Sequence, residues 1–168
     1  MIDRDGVVAR RARASDGGKL VAFVTRALRG RLELDLEAVL VRLGEAGFLL
    51  AEQDGRLLGL LGWHVENLVA CVTDLLIWSA VDRLQVADVL LEEMESAAAA
   101  LSAEAALLLL PKSSGPELLA FCGALGYSQR QVADLPGSWR QTALEAGRQH
   151  ADTIPVKQLR AQRIVRPL

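Results

Sequence analysis

The sequence predicts an α/β domain, a mixed central sheet with helices on both faces, and three observations predict it. Segments of period two in the middle of the chain are joined by tight-turn residues, which reads as antiparallel hairpins. Segments of helical period stand before and after them. Beyond residue 101 a continuous apolar run, Ala105–Leu110, alternates with helical segments, as a strand covered on both faces does. Hairpins first and strand–helix alternation later give a sheet with both antiparallel and parallel neighbours.

Each element follows in chain order. Gly6–Arg13 alternates small or apolar with basic residues and reads as an edge strand. Ser15 and Asp16 offer N-caps to a helix carrying Leu20, Val21, Phe23, Val24, Ala27 and Leu28 at helical spacing. A second helix starts near Asp35, with Leu36, Val39, Leu40 and Leu43 on one face and Gly47 past its end. Phe48–Gln53, the turn Asp54-Gly55 and Arg56–Val65 form a hairpin; Asn67 marks the next turn, into the strand Val69–Ser79. From Asp82, a plausible N-cap, to Leu101 the period is helical again, with Val86, Val89, Leu90, Met94 and Ala97 inward. After the strand Ala105–Leu110, Pro116 opens a helix that ends at Gly126. Tyr127–Val132 is a strand, Ser138 caps a helix through Arg148, and Ile154–Arg160 is a last strand trailing into 162–168.

The chain of 168 residues is 51% hydrophobic but 4% aromatic, so Leu, Val and Ala fill one sizeable core, and residues 1–168 read as a single domain. The apolar stretches are too short to span a bilayer, and the N-terminus, with Asp3, Arg4 and Asp5, has no apolar leader; no membrane partner and a cytoplasmic location are expected. Cys71 and Cys122 are isolated among apolar neighbours, which favours buried thiols over a disulfide. Net charge is −2, unevenly spread: +5 over residues 1–31, −11 over 32–110 and +4 over 111–168. Such blocks can pair within one subunit or across two. The basic residues are dispersed and lack interleaved aromatics, so no nucleic-acid partner is expected. Within the C-terminal strand and tail 150–168, Ile154–Leu168 alternates apolar and basic side chains; an exposed terminal edge of that kind predicts a homodimer to which the tail contributes, with the alternative that its first half completes the chain's own sheet.

Thr73-Asp74-Leu75-Leu76-Ile77 and Phe121-Cys122-Gly123-Ala124-Leu125-Gly126-Tyr127, taken with the element order, resemble the GNAT family of N-acetyltransferases over most of the chain. The first segment resembles that family's fourth strand, an acidic residue ahead of a short apolar run. The second resembles its late helix, closed by a Gly-aromatic turn. The resemblance implies an acyl-CoA-dependent N-acyltransferase fold, with acetyl-CoA or another acyl-CoA as acyl donor. Its acyl-CoA side would use the strand residues Leu76 and Ile77 and the helix start Arg83, Gln85, Val86 and Ala87. The family's phosphate-binding turn, basic-x-x-Gly-x-Gly/Ala, corresponds here to Asp82-Arg83-Leu84-Gln85-Val86-Ala87, of which Ala87 alone fits. Glycine there lets phosphate reach the helix N–H groups. Gln85 adds a side chain to that approach and Asp82 a negative charge, with Arg83 in partial compensation, so acyl-CoA is expected to bind weakly. Cys122 stands where the family often has a tyrosine that protonates the leaving thiolate, and Gly115 where it often has asparagine.

Aminolysis of a thioester needs a base for the amine and an acid for the thiolate. Asp74 is the candidate base, with the alternative that it caps a loop or pairs with Arg83; Glu66 is a second candidate or a solvated turn residue. Cys122 is the candidate acid or a small buried residue. His64, His150 and the three tryptophans read as structural, and no cluster has metal-ligand spacing, so no metal is expected. Ser113-Ser114-Gly115 are small residues after a strand, but no Lys-Ser/Thr follows them as a phosphate loop requires, and Lys112 reads as an anion contact or an ordinary solvated lysine. Two functions follow: an acyl-CoA-dependent acyltransferase with a degenerate donor site, acting on a small-molecule or protein amine, or a non-catalytic binding module on the same fold.

Overall fold

The computed structural model describes residues 1–28, 36–45, 47–78, 81–110 and 116–161. Eight strands pair in the order β1-β2-β3-β4-β5-β6-β8-β7. They are β1 Ile2–Arg4, β2 Val7–Arg11, β3 Gly47–Gln53, β4 Arg56–Glu66, β5 Val69–Ile77, β6 Ala105–Leu108, β7 Ser128–Gln131 and β8 Thr153–Gln158. The helices are α1 Gly17–Ala27, α2 Leu36–Glu45, α3 Arg83–Ala100, α4 Pro116–Ala124 and α5 Gly137–Glu145. β5 and β6 run parallel, Val69 opposite Ala105 through Val72 opposite Leu108, and α3 is the crossover that parallel pairing requires. The pairs β1/β2, β2/β3, β3/β4, β6/β8 and β8/β7 are antiparallel, so the sheet is mixed as the sequence predicts. The residues form two compact units, described in turn.

The first unit comprises Met1–Trp63 and Asp74–Met94. Its centre is β4, whose alternate residues serve opposite faces. Leu60, paired with Leu50, joins Leu20, Phe23 and Val24 of α1 in one buried cluster. Gly59, on the other face, lies against α3: a Cβ there would stand 2.8 Å from Val86 Cγ1 and 3.2 Å from Leu90 Cδ1. Helices therefore cover both faces of this part of the sheet. The basic start of the chain pairs with its acidic middle. Arg10 binds both oxygens of Asp16 (2.8 Å each) and both of Glu52 (3.0 and 3.1 Å), which Lys19 also reaches at 3.2 Å. Arg4 pairs with Asp88 and Glu92, fastening β1 to α3.

The second unit comprises His64–Thr73 and Glu95–Leu168. Val69, Cys71, Ala105, Leu107, Ile154 and Val156 meet Trp139 and Ala143 of α5 in one core. Buried Glu104 accepts the Trp139 Nε1–H at 3.2 Å. Lys157 and the Tyr127 hydroxyl converge on Glu95, at 2.8 Å and 2.9 Å in their shortest contacts. Ile154 and Val156 are buried, and β8 lies between β6 and β7, so the first half of the expected terminal edge strand is an interior strand. The tail 162–168 lies outside the described residues.

Three local expectations need correction. The strand expected over Gly6–Arg13 is the second arm of a hairpin, because Asp5 and Gly6 take φ of 51° and 80° and turn β1 back onto β2. Three residues of β1 are too few to show a period. Asp16 does not cap α1; it points backwards, accepting the Arg13 N–H at 2.8 Å and the Arg10 guanidinium. Ser138 sits inside the first turn of α5, which has no side-chain cap. Ser79 and Asp35 lie outside the described residues.

The hydrogen bonds from Arg10 hold the Asp16 carboxyl at about 2 against an ordinary 3.8, with burial opposing, and lower Glu52 in the same direction. A carboxyl depressed in the folded state stabilises fully above its unfolded pKa, and the contribution disappears as pH falls through the folded value. Asp16→Asn should therefore cost about 1–2 kcal/mol at pH 7. Urea denaturation from pH 7 to pH 2 checks this: wild-type and variant curves should converge towards pH 2, and a gap independent of pH would refute the assignment.

Candidate functional site

Two features of the first unit hold residues that the sequence analysis singled out, one on each face of β5. Along β5 side chains alternate, so Asp74, Leu76 and Trp78 share one face. That face is the α1 side, since Leu76 and Trp78 pack against the α1 cluster.

On the α1 side Asp74 stands beside Gly62 of β4. A Cβ on Gly62 would lie 2.8 Å from Asp74 Oδ2 and 3.0 Å from Phe48 Cε1, so the missing side chain is the space the carboxylate occupies. Asp74 is 29% exposed, and its Oδ2 accepts a 2.7 Å bond from Arg42 of α2. Arg42 is thus a partner of Asp74 that the sequence analysis, which considered Arg83, did not name. Arg11, Ala12, Arg13, Ala14, Leu40, Gly44, Gly47 and Phe48 line an open pocket of about 270 Å³. Phe48 is one of these residues, and its ring edge and Asp74 Oδ2 both border the space left by Gly62.

On the opposite face α3 begins. Val86 and Ala87 are fully buried, so they can meet a ligand at this turn through the backbone alone. Asp82 Oδ1 accepts the N–H of Leu84 at 3.0 Å and of Gln85 at 3.2 Å, and the Asp82 carbonyl accepts that of Val86 at 3.2 Å. The donors that a phosphate would use are engaged by this cap. The Gln85 amide reaches the Arg4 carbonyl at 3.3 Å and Asp5 Oδ2 at 3.5 Å, which draws a second carboxylate to the helix start. Arg83 is exposed beside it, and Ile77 is half-buried at the end of β5.

The remaining thiol and histidine candidates lie in the second unit. Cys122 is completely buried and burial pushes its thiol pKa up, which disfavours proton donation to a leaving group. Cys71 is likewise buried and free, its thiol pushed up to about 12. His64 stands 3.9 Å from Glu66, both well exposed, and His150 is exposed. Of the tryptophans, Trp139 packs in the core and Trp78 lies under Arg26, 4.0 Å from its ring centre. Gly115, Lys112 and Ser113-Ser114 lie outside the described residues. Among the described residues no group of three metal-ligating side chains assembles, and no helix is long and apolar enough to cross a membrane.

Sequence reasoning missed Arg42, Phe48, Gly62 and Asp5. Gly62 had a signal, since glycine inside a strand marks a close approach. Arg42 had one too, as one of three basic residues in the acidic stretch 32–110.

No family model and no curated protein matches the sequence. Solved structures do. An acetyltransferase of the GNAT family from Staphylococcus aureus Mu50 matches with a TM-score of 0.68 at 13% identity, over 92% of this chain and 99% of that one. The PaiA N-acetyltransferase from Thermoplasma acidophilum, in complex with coenzyme A, matches with 0.63 at 16% identity, over 90% and 98%. Ribosomal-protein-alanine N-acetyltransferase from Brucella melitensis matches with 0.62 at 14%, over 90% and 99%. With its mixed sheet and with α3 crossing from β5 to the parallel β6, the chain has the fold of the GNAT N-acetyltransferases.

Proposed function

We propose that the chain is an acyl-CoA-dependent N-acyltransferase with a weak donor site. The observation that carries this reading is the placement of Asp74, a part-exposed carboxylate in the space cleared by Gly62 and bonded to Arg42. The neighbours bound to coenzyme A support an acyl-CoA as donor. In the reaction the amine nitrogen attacks the thioester carbonyl carbon, Asp74 accepts the proton from nitrogen, and the C–S bond breaks to release the thiolate, which takes its proton from water. Arg42 keeps the Asp74 carboxylate oriented by a charge-assisted bond. Leu76, Ile77 and the α3 start at Arg83, Gln85, Val86 and Ala87 would lie along the donor.

A second reading, a non-catalytic binding module, is favoured by one observation: Asp82 engages the helix-start N–H groups that would cradle a pyrophosphate. Both readings share a prediction. Acetyl-CoA should bind with a dissociation constant nearer millimolar than micromolar, because two or three charge-assisted bonds at roughly 1.5–3 kcal/mol each are compromised. Calorimetry on wild type and on Asp82→Arg with Gln85→Gly tests it: the double variant should bind at least about 10-fold tighter. A low-micromolar wild-type constant would show that the cap is no obstacle.

Asp74→Asn separates the two readings. Free-thiol release from acetyl-CoA with a panel of amines should fall about 10²-fold in that variant. Release no faster than in a protein-free blank would leave the binding module standing, and equal loss in His64→Ala with none in Asp74→Asn would move the base to His64.

The same reading includes a homodimer held in part by residues 162–168, where Arg163 and Arg166 can meet the acidic stretch of a second copy. Because β8 is interior, the test is a chain ending at Ala161. Light scattering should give a dimer for the full chain and a monomer for the shortened one; a folded, dimeric shortened chain removes the tail from the contact.

A further inference from the structure

The first arm of the β1–β2 hairpin is fastened to the start of α3 by polar contacts. The Gln85 amide donates to the Arg4 carbonyl at 3.3 Å and to Asp5 Oδ2 at 3.5 Å. Arg4 pairs with Asp88 and, at 2.6 Å, with Glu92, one and two turns beyond Gln85. The arm joins the sheet through a single neighbour, β2. Ile2 is half-buried and residues 3–6 are exposed, whereas Val7 and Ala9 of β2 are buried. Asp5 and Gly6, with φ of 51° and 80°, form the turn between the anchored strand and the exposed one. The Gly6 N–H donates to Asp3 Oδ1 at 3.2 Å, and the Gln53 amide to the Asp5 carbonyl at 3.3 Å. Exposed ion pairs hold weakly, and an edge strand that buries so little opens more readily than the core.

We propose that β1 is an autoinhibitory strap at the donor end of α3, and that an anionic donor displaces it on binding. The inference rests on the reading that an acyl-CoA lies along the start of α3. In the seated position the strap brings the Asp5 carboxylate and the Arg4 carbonyl to Gln85, beside N–H groups that Asp82 already caps. A carboxylate and a phosphate compete for the positive end of one helix. The donor therefore binds the molecules whose strap is open, and its apparent dissociation constant is the intrinsic one divided by the open fraction. Opening also releases the Gln85 side chain from both of its acceptors. The strap reverses the sign that charge alone would give. Arg4 is a cation near an anion site, so its removal should weaken a phosphate ligand by simple electrostatics. As the residue that fastens β1 to Asp88 and Glu92, its removal should instead strengthen that ligand.

Titration of the full chain with coenzyme A at fixed ionic strength, followed by NMR chemical shifts, tests the proposal. Arg4→Gln should bind about 3- to 10-fold tighter than wild type, the change expected when exposed ion pairs are removed from the closed form alone. Arg56→Gln, which removes the same charge from the β3–β4 turn, should not tighten binding. Hydrogen exchange supplies a second readout. The amides of residues 2–9 should exchange faster in Arg4→Gln, and faster in wild type saturated with coenzyme A, because the ligand selects the open form. Should Arg4→Gln fail to fold, the exchange of the wild type decides alone. Wild-type binding that Arg4→Gln leaves unchanged or weakens, or exchange that coenzyme A slows, would overturn the strap and leave the acyl-CoA reading standing. No saturable binding of coenzyme A by either protein would overturn both.

Discussion

The structure of the first unit depends on how closely other groups approach β4 at two glycines. At Gly59 the first turns of α3 press onto the strand; a methyl group would meet Val86, a stiff β-branched side chain, below van der Waals distance. At Gly62 the strand makes way for Asp74 and the Phe48 ring. One absence of a side chain sets the height of α3 over the strand. The other sets the position of the Asp74 carboxylate. Because successive strand residues point to opposite faces, a single strand governs both features without the two competing for space.

Charge is organised on the same frame. Three of the eight basic residues of positions 1–31 form ion pairs among the described residues: Arg10 with Asp16 and Glu52, Lys19 with Glu52, and Arg4 with Asp88 and Glu92 of α3. The exposed pairs made by Arg4 contribute little energy but fix where β1 lies. The half-buried Arg10 group does more, since it closes β2, the start of α1 and β3 around one guanidinium. Arg11 and Arg13, on either side of Ala12, are exposed.

The two faces differ. On the α1 side the Asp74 carboxylate is held by Arg42, whereas at the start of α3 the helix N–H groups are held by Asp82, and Gln85 reaches a second carboxylate, Asp5. An N-cap and an anion site use the same donors, so a helix start that is well capped by its own carboxylate is a poor cradle for phosphate.

The sequence by itself determined the fold class, the hairpin at Asp54-Gly55, the strand bearing Asp74 and the capped, glycine-poor turn at residues 82–87. These are local matters: period, turn residues and a cap two or three positions from its donors are all read within a short window. It also gave the late-helix turn at Gly126, whose φ of 86° suits glycine, and the burial of Cys71 and Cys122. Only the tertiary structure decided that Asp74 pairs with Arg42, 32 positions away, and that Gly62 is the space it fills. It alone brought Arg11 and Arg13 to the pocket wall with Phe48, and Asp5 to the start of α3. It placed β8 inside the sheet where an alternating terminal segment had suggested an edge. Those contacts join segments distant in sequence, and which one meets which depends on strand order and on the close approaches at β4, quantities that no local period encodes.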